Sequence, residues 1–440
     1  MKHIRVATAL LASVLSASVG QAASLTTLVH FSGANGESPA SDLVAGPPGT
    51  FYGTTIWGGA QSHGSIFKVT TDGALTTLAS FDNSMPGNGP SSLVRDSSGT
   101  LYGVSYYRGT SDLGAVFKLS NGGSIETLAS FAPSEGARPR GPLVLAPSGD
   151  LFGMARAGGT ENAGTLFRVT SSGALTKIYD FNLAARGPDG LTVDSGGVLY
   201  GSILYDGAFD SGSLFRITSS GTFTNLHDFA SGQGRPIGAL TIDGAGTLFG
   251  ATSAGGIHGF GTIYSLTSNG VFTTLASLGG ENGHLAYGRL VLDGSGTLFG
   301  TTAAGGSSGR GTVFRLTADG TFTTLINFTG ENGANPGSHP FGSLVADADG
   351  HLLGTTSQGG TFGRGTIFKI DLAGVPDDGG GSGGGGSDGG GGGSVGGVPE
   401  PGSWAMLIIG FGLIGAESRR RRIRNRRWSS GLPCAASSPG

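Results

Sequence analysis

Carboxylates in loop-like segments are the side chains of this chain that could carry out acid–base chemistry. Glycoside hydrolysis needs two carboxyl groups about 5–10 Å apart, and Glu135, Glu281 and Glu331 could supply them. The sequence shows no Ser/His/Asp grouping by motif and no paired carboxylates at matched positions. An active site is therefore only one hypothesis for these loops, and a binding surface is the other.

Metal-binding patterns are weak. The eight histidines show no HxH or HxxxH spacing, and the single cysteine, Cys434, lies near the C-terminus. Four aspartates recur at one kind of turn: Asp194, Asp243, Asp293 and Asp347. The segment Asp347-Ala348-Asp349-Gly350 matches only a fragment of a calcium loop, so we interpret these aspartates as turn caps. We expect no metal ion and no cofactor.

The elements that would position such groups repeat about every fifty residues. Each copy holds a glycine and, fourteen residues later, an aromatic residue. The glycines are Gly53, Gly103, Gly153, Gly201, Gly250, Gly300 and Gly354. The aromatic residues are Phe67, Phe117, Phe167, Phe215, Tyr264, Phe314 and Phe368. We expect these rings to pack between repeats, and a fixed period of this size is typical of a repeat architecture.

A double glycine lies between those two elements in most copies, as at Gly305-Gly306. Its second glycine, or the single Gly109 and Gly207 in the second and fourth copies, always precedes the Gly of the Gly-Thr-x-Phe element by five residues. Such a constant position predicts a backbone with positive φ or a close approach of two chain segments.

Each repeat divides into four short runs with Asp/Gly turns, which indicates antiparallel hairpins and one propeller blade per repeat. We number the runs of a repeat one to four in chain order. The chain begins with a copy of run four, which ends at Phe31, and the last repeat stops after its run three, at Leu372. The N-terminal strand should therefore complete the last blade, which leaves no sheet edge at the join. We predict an all-β fold over residues 24–372: a seven-bladed β-propeller of four-stranded blades.

In such a propeller the first run lines the axis, and the longer loops, between runs two and three and between runs four and one, share one face. Binding groups usually occupy longer loops on a rigid scaffold. We expect the axis to be apolar, with Arg95 as its one charged residue. The candidate binding face comprises Arg138, Arg140, Arg235, Arg289, Arg310 and Arg364. Further candidates on these loops are Glu135, Arg186, Glu281, His284, Glu331 and His339.

The N-terminus has the features of an export signal. Lys2 and Arg5 precede an apolar run, and Ala22 and Ala23 suit signal peptidase, so residues 1–23 are predicted to be a signal peptide. Nine of the 26 Lys and Arg, and two of the 29 Asp and Glu, lie in this segment or from residue 400 onward. The remaining 17 basic and 27 acidic residues give a net charge of about −10, which argues against nucleic acid as a partner.

The C-terminal region follows a change in composition. Residues 373–397 are rich in Gly and Ser and are predicted to be a flexible linker. In residues 398–427, an apolar run of 13 residues from Trp404 to Ala416 precedes a cluster of arginines. That run is about 20 Å long as a helix against a hydrocarbon core of about 30 Å, which suits a transient membrane anchor. We expect membrane contact only here, and a disordered tail over residues 428–440.

These C-terminal residues resemble the PEP-CTERM sorting signal of Gram-negative bacteria. The matching residues are Pro399, Glu400, Pro401, Arg419, Arg420, Arg421 and Arg422, around the Trp-Ala-Met and Gly-Phe-Gly elements. The resemblance implies transient processing by an exosortase and delivery to the cell surface or to extracellular polysaccharide. The chain departs from the pattern by continuing past Arg427. An ordinary single-pass anchor is the alternative.

The repeats are similar to the GloVer-type tandem repeat of exported proteins. The similarity spans Leu25 to Leu372 and lies in the Leu-Tyr/Phe-Gly-Thr-Thr, Gly-Gly and Gly-Thr-x-Phe elements. It implies an exported protein but no particular biochemical activity.

Two functions stay open from the sequence. The first is an exported, surface-displayed, non-catalytic propeller that binds polysaccharide or protein in the cell envelope or biofilm matrix. The second is an extracellular hydrolase or lyase that acts on polysaccharide from the long-loop face. The lack of a recognisable active-site motif favours the first function.

Overall fold

The fold is entirely β. The computed structural model describes residues 23–39, 41–82, 89–107, 109–120, 123–183 and 185–373. Over these residues the chain forms seven antiparallel sheets, which are the blades of a seven-bladed β-propeller. The predicted fold class and blade number are therefore confirmed. Apart from Ala23 and Ala373, the predicted signal peptide, linker, sorting signal and tail lie outside the described residues.

The strands are numbered in chain order, and the first, β1 (Ser24–His30), belongs to the last blade. Blade 1 contains β2 (Glu37–Pro39), β3 (Val44–Ala45), β4 (Thr50–Trp57), β5 (Ser65–Thr70) and β6 (Leu75–Ser80). Blade 2 contains β7 (Pro90–Arg95), β8 (Leu101–Ser105), β9 (Ala115–Leu119) and β10 (Ile125–Ser130). Blade 3 contains β11 (Ala137–Pro139), β12 (Val144–Leu145), β13 (Leu151–Ala157), β14 (Thr165–Val169) and β15 (Leu175–Asp180). In blades 1 and 3 the innermost strand is split in two.

The remaining blades follow the same order. Blade 4 contains β16 (Arg186–Val193), β17 (Leu199–Tyr205), β18 (Ser213–Ile217) and β19 (Phe223–Asp228). Blade 5 contains β20 (Pro236–Ile242), β21 (Leu248–Thr252), β22 (Thr262–Leu266) and β23 (Phe272–Ser277). Blade 6 contains β24 (Val291–Leu292), β25 (Leu298–Thr302), β26 (Thr312–Leu316) and β27 (Phe322–Asn327). Blade 7 contains β28 (Val345–Ala346), β29 (Leu352–Thr356), β30 (Thr366–Asp371) and then β1.

The ring closes through the pairing of β1 with β30. The two strands are antiparallel, with Ser24 opposite Asp371 and His30 opposite Thr366. The predicted closure by the N-terminal strand is thus confirmed, and the outer edge of blade 7 is formed by the first strand of the chain.

The repeated glycine and aromatic residue form one cross-strand pair in every blade. In blade 6, Gly300 of β25 lies opposite Phe314 of β26, and a Cβ on Gly300 would lie 2.5 Å from Phe314 Cζ. Only glycine leaves room for the ring, which is 0% exposed. The aromatic residue that ends the preceding blade packs against the same ring, as Phe328 does on Phe368 at a centroid distance of 5.1 Å. The predicted packing between blades is confirmed.

The double glycine joins two loops. In blade 6, Gly305 and Gly306 have φ of 81° and 77°, and the Gly306 N–H donates to the carbonyl of Gly280 at 2.9 Å. A Cβ on Gly305 would lie 2.7 Å from Gly283 Cα. Both reasons predicted for this glycine, positive φ and close approach, are therefore present. Gly59, Gly159, Gly256 and Gly360 donate the same hydrogen bond, so in these blades too the inner loop is fixed against the loop that enters the blade.

The loops divide the propeller into two faces. The upper face carries the loops between the second and third strands of each blade and the connections between blades. The lower face carries the tight turns between the first and second strands and between the third and fourth strands. In the lower turn of blade 6, Asp293 Oδ1 accepts the N–H groups of Ser295 at 2.8 Å and Thr297 at 2.9 Å. The interpretation of these aspartates as turn caps is confirmed. No helix long and apolar enough to span a membrane occurs in the part of the chain that the structure describes.

Candidate binding face

Large apolar side chains are exposed mainly on the upper face. Six of the seven such residues among the described ones lie in its loops or, for Trp57, at the upper end of β4: Trp57, Leu183, Phe209, Ile257, Phe260 and Phe362. The seventh, Val271, lies in a lower turn. These residues are distributed over blades 1, 4, 5 and 7 and the connection between blades 3 and 4, so the upper face is the one that exposes apolar groups.

Arg138 and Arg235 occupy equivalent positions at the entrances to blades 3 and 5, and both are exposed. Each is followed by a buried proline. Arg138 has φ of 57°, and its N–H donates to the Leu113 carbonyl of the preceding blade at 2.6 Å. The Arg235 guanidinium lies over the Tyr205 ring, 4.7 Å from its centroid. Tyr205 belongs to the neighbouring blade and was not among the residues predicted from the sequence.

Two other candidate arginines lie deeper. Arg140 is half-buried. Arg289 is only 8% exposed, and burial lowers its pKa to about 10, an effect opposed by the nearby charge of Asp42. Asp42 accepts the backbone N–H of Ser343 at 2.7 Å. Arg289 therefore stays protonated at neutral pH inside the ring, and it is not part of the loop surface on which the sequence analysis placed it.

The inner strands hold more charge than expected. Asp189 of β16 is 7% exposed; it accepts from Arg156 Nη2 at 2.6 Å and from the Gly238 N–H of the next blade at 3.1 Å. Burial and the charge of Asp189 raise the pKa of Tyr287. Arg95 is consequently not the one charged residue of the inner strands, because Asp189 lies in β16. The sequence did hold a signal for Asp189. It stands two residues before the inner leucine of its repeat, where the six other repeats have glycine or serine.

Arg364 and Arg310 occupy equivalent positions in blades 7 and 6, in the loops between the second and third strands. Arg364 Nη1 forms an ion pair with Glu37 Oε2. Arg310 is exposed and lines a cleft of about 350 Å³ with seven other residues. These are Thr329, Gly330, Glu331, Asn332, Gln358, Gly359 and Gly363. Asn332 and Gln358 were not among the sequence candidates.

The three loop glutamates lie in different connections and have different surroundings. Glu135 Oε2 accepts the Ala132 N–H at 3.2 Å, in the connection between blades 2 and 3. Gln233 makes the same bond to the Ala230 N–H at 2.7 Å in a later connection. Because an amide does the same work there, Glu135 is a loop cap. Glu281 and Glu331 are exposed in the connections before blades 6 and 7.

The histidine candidates are partly buried. Burial lowers the pKa of His284. Burial, and then the charge of Arg310, lower the pKa of His339, whose Nδ1 contacts the Ser338 hydroxyl. Both imidazoles are therefore neutral at neutral pH. The side chain of Arg186 lies outside the described residues.

Asp347, Asp349 and His351 lie together at a lower turn, with one ligand atom of each within 4.8 Å of the others. Asp347 Oδ1 accepts the backbone N–H groups of Asp349 and His351, and its Oδ2 lies 2.8 Å from His351 Nδ1. Both carboxylate oxygens of Asp347 are thus engaged in contacts within the turn.

Two models of known protein families match this chain. A model of the Gloeobacter/Verrucomicrobia repeat matches residues 15–191 and 187–377, which is most of the chain. The chain belongs to this repeat family. A second model, the PEP-CTERM protein-sorting motif, matches residues 397–422 of this chain. Both resemblances inferred from the sequence are therefore confirmed, and the sorting motif supports export with a membrane-associated C-terminus in a Gram-negative bacterium. It also implies processing by an exosortase.

Solved structures similar to this repeat protein share its fold at low identity. A catalytically inactive virginiamycin B lyase from Staphylococcus aureus, with quinupristin, has a TM-score of 0.54 and 15% identity; the match covers 80% of this chain and 99% of the lyase. The extracellular domain of a protein described as a one-component system from B. thetaiotaomicron has a TM-score of 0.52 and 14% identity, with 79% of this chain and 40% of that chain covered.

A puromycin-hydrolyzing peptidase from Mycobacterium tuberculosis has a TM-score of 0.50 and 13% identity, with 76% of this chain and 52% of the peptidase covered. No curated protein matches the sequence. At these identities the likeness establishes the propeller fold and no activity.

Proposed function

We propose that this protein is an exported, surface-displayed, non-catalytic propeller whose upper face binds an acidic polysaccharide of the cell envelope or biofilm matrix. The observation that carries the proposal is the exposure of aromatic rings and guanidinium groups on the same face. Trp57, Phe209, Phe260 and Phe362 are each more than two-fifths exposed there. Flat apolar rings with a few charged groups to fix orientation are typical of ligand sites.

The charge distribution supports an acidic ligand. The lower end of the described blades carries nine aspartates in turns and Asp371 at the end of β30: Asp72, Asp96, Asp150, Asp194, Asp243, Asp293, Asp319, Asp347, Asp349 and Asp371. The exposed arginines of the candidate face, among them Arg138, Arg235 and Arg310, lie at the opposite end of the strands. The upper loops also carry the exposed carboxylates of Glu161, Glu281 and Glu331, so a polyanion is attracted locally to these arginines and repelled from the lower turns.

The position of the chain ends supports display of this face. β30 ends at Asp371 on the lower face, and the linker and sorting motif follow from there. The membrane-associated end thus leaves the propeller opposite the upper loops, which leaves those loops accessible to a matrix polymer.

The test is binding of the purified chain to immobilised polygalacturonate and, as the neutral control, galactan. We expect binding to polygalacturonate alone, weakened by added salt because exposed charges are screened. Replacing both Arg138 and Arg235 by Gln should weaken binding roughly 5–30-fold, from about 0.5–1 kcal/mol per contact. Arg168→Gln is the control, since Arg168 pairs with Asp150 at 2.8 Å near the lower face.

Two results would contradict the proposal. Equal binding to both polymers would exclude recognition of charge by this face. New reducing ends or unsaturated products in the bound fraction would support a hydrolase or lyase instead, and exposed Glu281 and Glu331 would be the first carboxylates to replace.

A further inference from the structure

The last two blades carry arginine at one repeated position, directly before the Gly-Thr element. The other blades have His63, Leu113, Ala163, Ser211 and Phe260 there. Each arginine packs on a glycine of the next connection: a Cβ on Gly330 would lie 3.5 Å from Arg310 Nε, and one on Gly33 would lie 3.2 Å from Arg364 Nη1. The two arginine side chains therefore have equivalent backbone surroundings.

They differ in the residue that faces them. In the backbone ladder, Glu37 lies opposite Trp57 of β4 in blade 1. Ser338 lies opposite Gln358 at the corresponding place of blade 7. The backbone on either side matches as well, since Ser38 donates to the Arg364 carbonyl at 2.9 Å and His339 to the Arg310 carbonyl at 3.0 Å. Arg364 thus has its carboxylate within the chain.

Arg310 has a serine where Arg364 has Glu37. Ser338 is 0% exposed, and its hydroxyl contacts His339 Nδ1. His339 offers no negative charge, because burial and the charge of Arg310 lower its pKa. Among the residues that the structure describes, no ion pair or hydrogen bond involves the Arg310 guanidinium. The cleft of Arg310 therefore repeats the Arg364 site without a carboxylate at the position of Glu37.

The rest of the cleft is polar and spacious enough for a small ligand. Its volume is about 350 Å³, within the usual range of ligand pockets. Glu331 also lines the cleft, and its Oε1 lies 2.9 Å from where a Cβ on Gly363 would be. The buried Thr329 hydroxyl has no hydrogen-bond partner among the described residues. Exposed Phe362 is the sequence neighbour of Gly363 at the cleft rim.

We propose that this cleft between blades 6 and 7 binds one hexuronate residue of an acidic polysaccharide. The sugar carboxylate takes the place that Glu37 occupies at Arg364 and accepts two N–H bonds from Arg310, because a guanidinium matches a carboxylate in a bidentate geometry. Sugar hydroxyls donate to Glu331 and exchange hydrogen bonds with Asn332 and Gln358. The choice of a sugar acid rests on the proposed function; the need for an anion rests on the comparison of the two arginines.

The experiment measures binding of galacturonate oligomers by calorimetry to the full chain, with the methyl-esterified oligomers as neutral probes. Replacement Arg310→Gln should weaken binding roughly 10–100-fold, as expected for loss of a hydrogen-bonded charge pair. Arg310→Lys should restore only part of the affinity, because an ammonium group lacks the planar fork. The matched control, Arg364→Gln, should change affinity less than about twofold, since Arg364 is already paired with Glu37.

The outcomes separate this inference from the proposed function. If the polymer binds and Arg310→Gln leaves binding of both polymer and oligomers unchanged, the cleft assignment is wrong and the function stands. If oligomers bind through Arg310 while polygalacturonate does not, the cleft assignment stands and the proposed function is wrong. Equal losses in Arg310→Gln and Arg364→Gln, or equal binding of esterified and free oligomers, would overturn the cleft assignment.

Discussion

Tyr264 is the one tyrosine at the seven positions of the repeated aromatic residue, and its hydroxyl provides a quantitative test of the packing. The residue is 0% exposed, and its hydroxyl has no hydrogen-bond partner among the described residues. The oxygen lies over Gly250, 2.4 Å from where a Cβ would be. Burial raises the pKa of Tyr264, so the hydroxyl stays protonated and must be buried as a neutral polar group.

Replacing Tyr264 by Phe should stabilise the propeller. The other six blades show that Phe fits this environment, and the ring keeps its contacts with Phe229 and Phe272 at centroid distances of 5.3 Å. Burying a hydroxyl without a partner costs about 1–3 kcal/mol in proteins, and the substitution removes that cost. We expect a gain of about 1–3 kcal/mol in the free energy of unfolding, measured by urea denaturation with unchanged slope.

Tyr200→Phe is the matched control with the opposite sign. The Tyr200 hydroxyl donates to Asp194 Oδ2 at 3.3 Å, and losing that bond should lower stability by up to about 1 kcal/mol. If Tyr264→Phe lowers stability as Tyr200→Phe does, or leaves it unchanged, the Tyr264 hydroxyl is satisfied by a buried water and the reasoning fails.

Two further predictions concern stability. Phe314→Ala empties the pocket over Gly300 and should cost about 3–5 kcal/mol; a thermal melt equal to that of the unchanged chain would argue against packing between blades. Burial lowers the pKa of His227, which stacks on Phe272 at 4.4 Å, so its contribution to stability is complete above pH 6.5 and is lost as the pH falls to its folded-state value. His227→Phe should therefore reduce the loss of melting temperature between pH 7.5 and 5, and an unchanged pH profile would exclude this residue as a cause.

The sequence was sufficient for the fold because the fold depends on short-range spacing. Gly300 and Phe314 are fourteen residues apart and form one cross-strand pair, so the repeat itself encodes the sheet and the packing of each blade. Ring closure followed from the order of the runs at the two ends. These features need only local pattern and a count of strands.

The candidate site was less predictable because its pairings are between distant parts of the chain. Arg310 and Arg364 look alike in sequence, and only the fold shows that Glu37, 327 residues from Arg364, neutralises one of them. The aromatic partner of Arg235 lies in the preceding blade. Burial of Arg289 depends on three blades meeting near the axis. No local spacing carries that information.

The pairing of β1 with β30 sets an order of events during synthesis and export. β1 is made before every other strand described, yet its partner β30 is the last of them. Val29 and Phe31 share a core with Ile367. Their apolar side chains therefore cannot be fully buried until more than three hundred further residues have emerged. The ring can close only after translocation is nearly complete, so factors that shield apolar segments outside the membrane should govern the yield of this protein more than its final stability does.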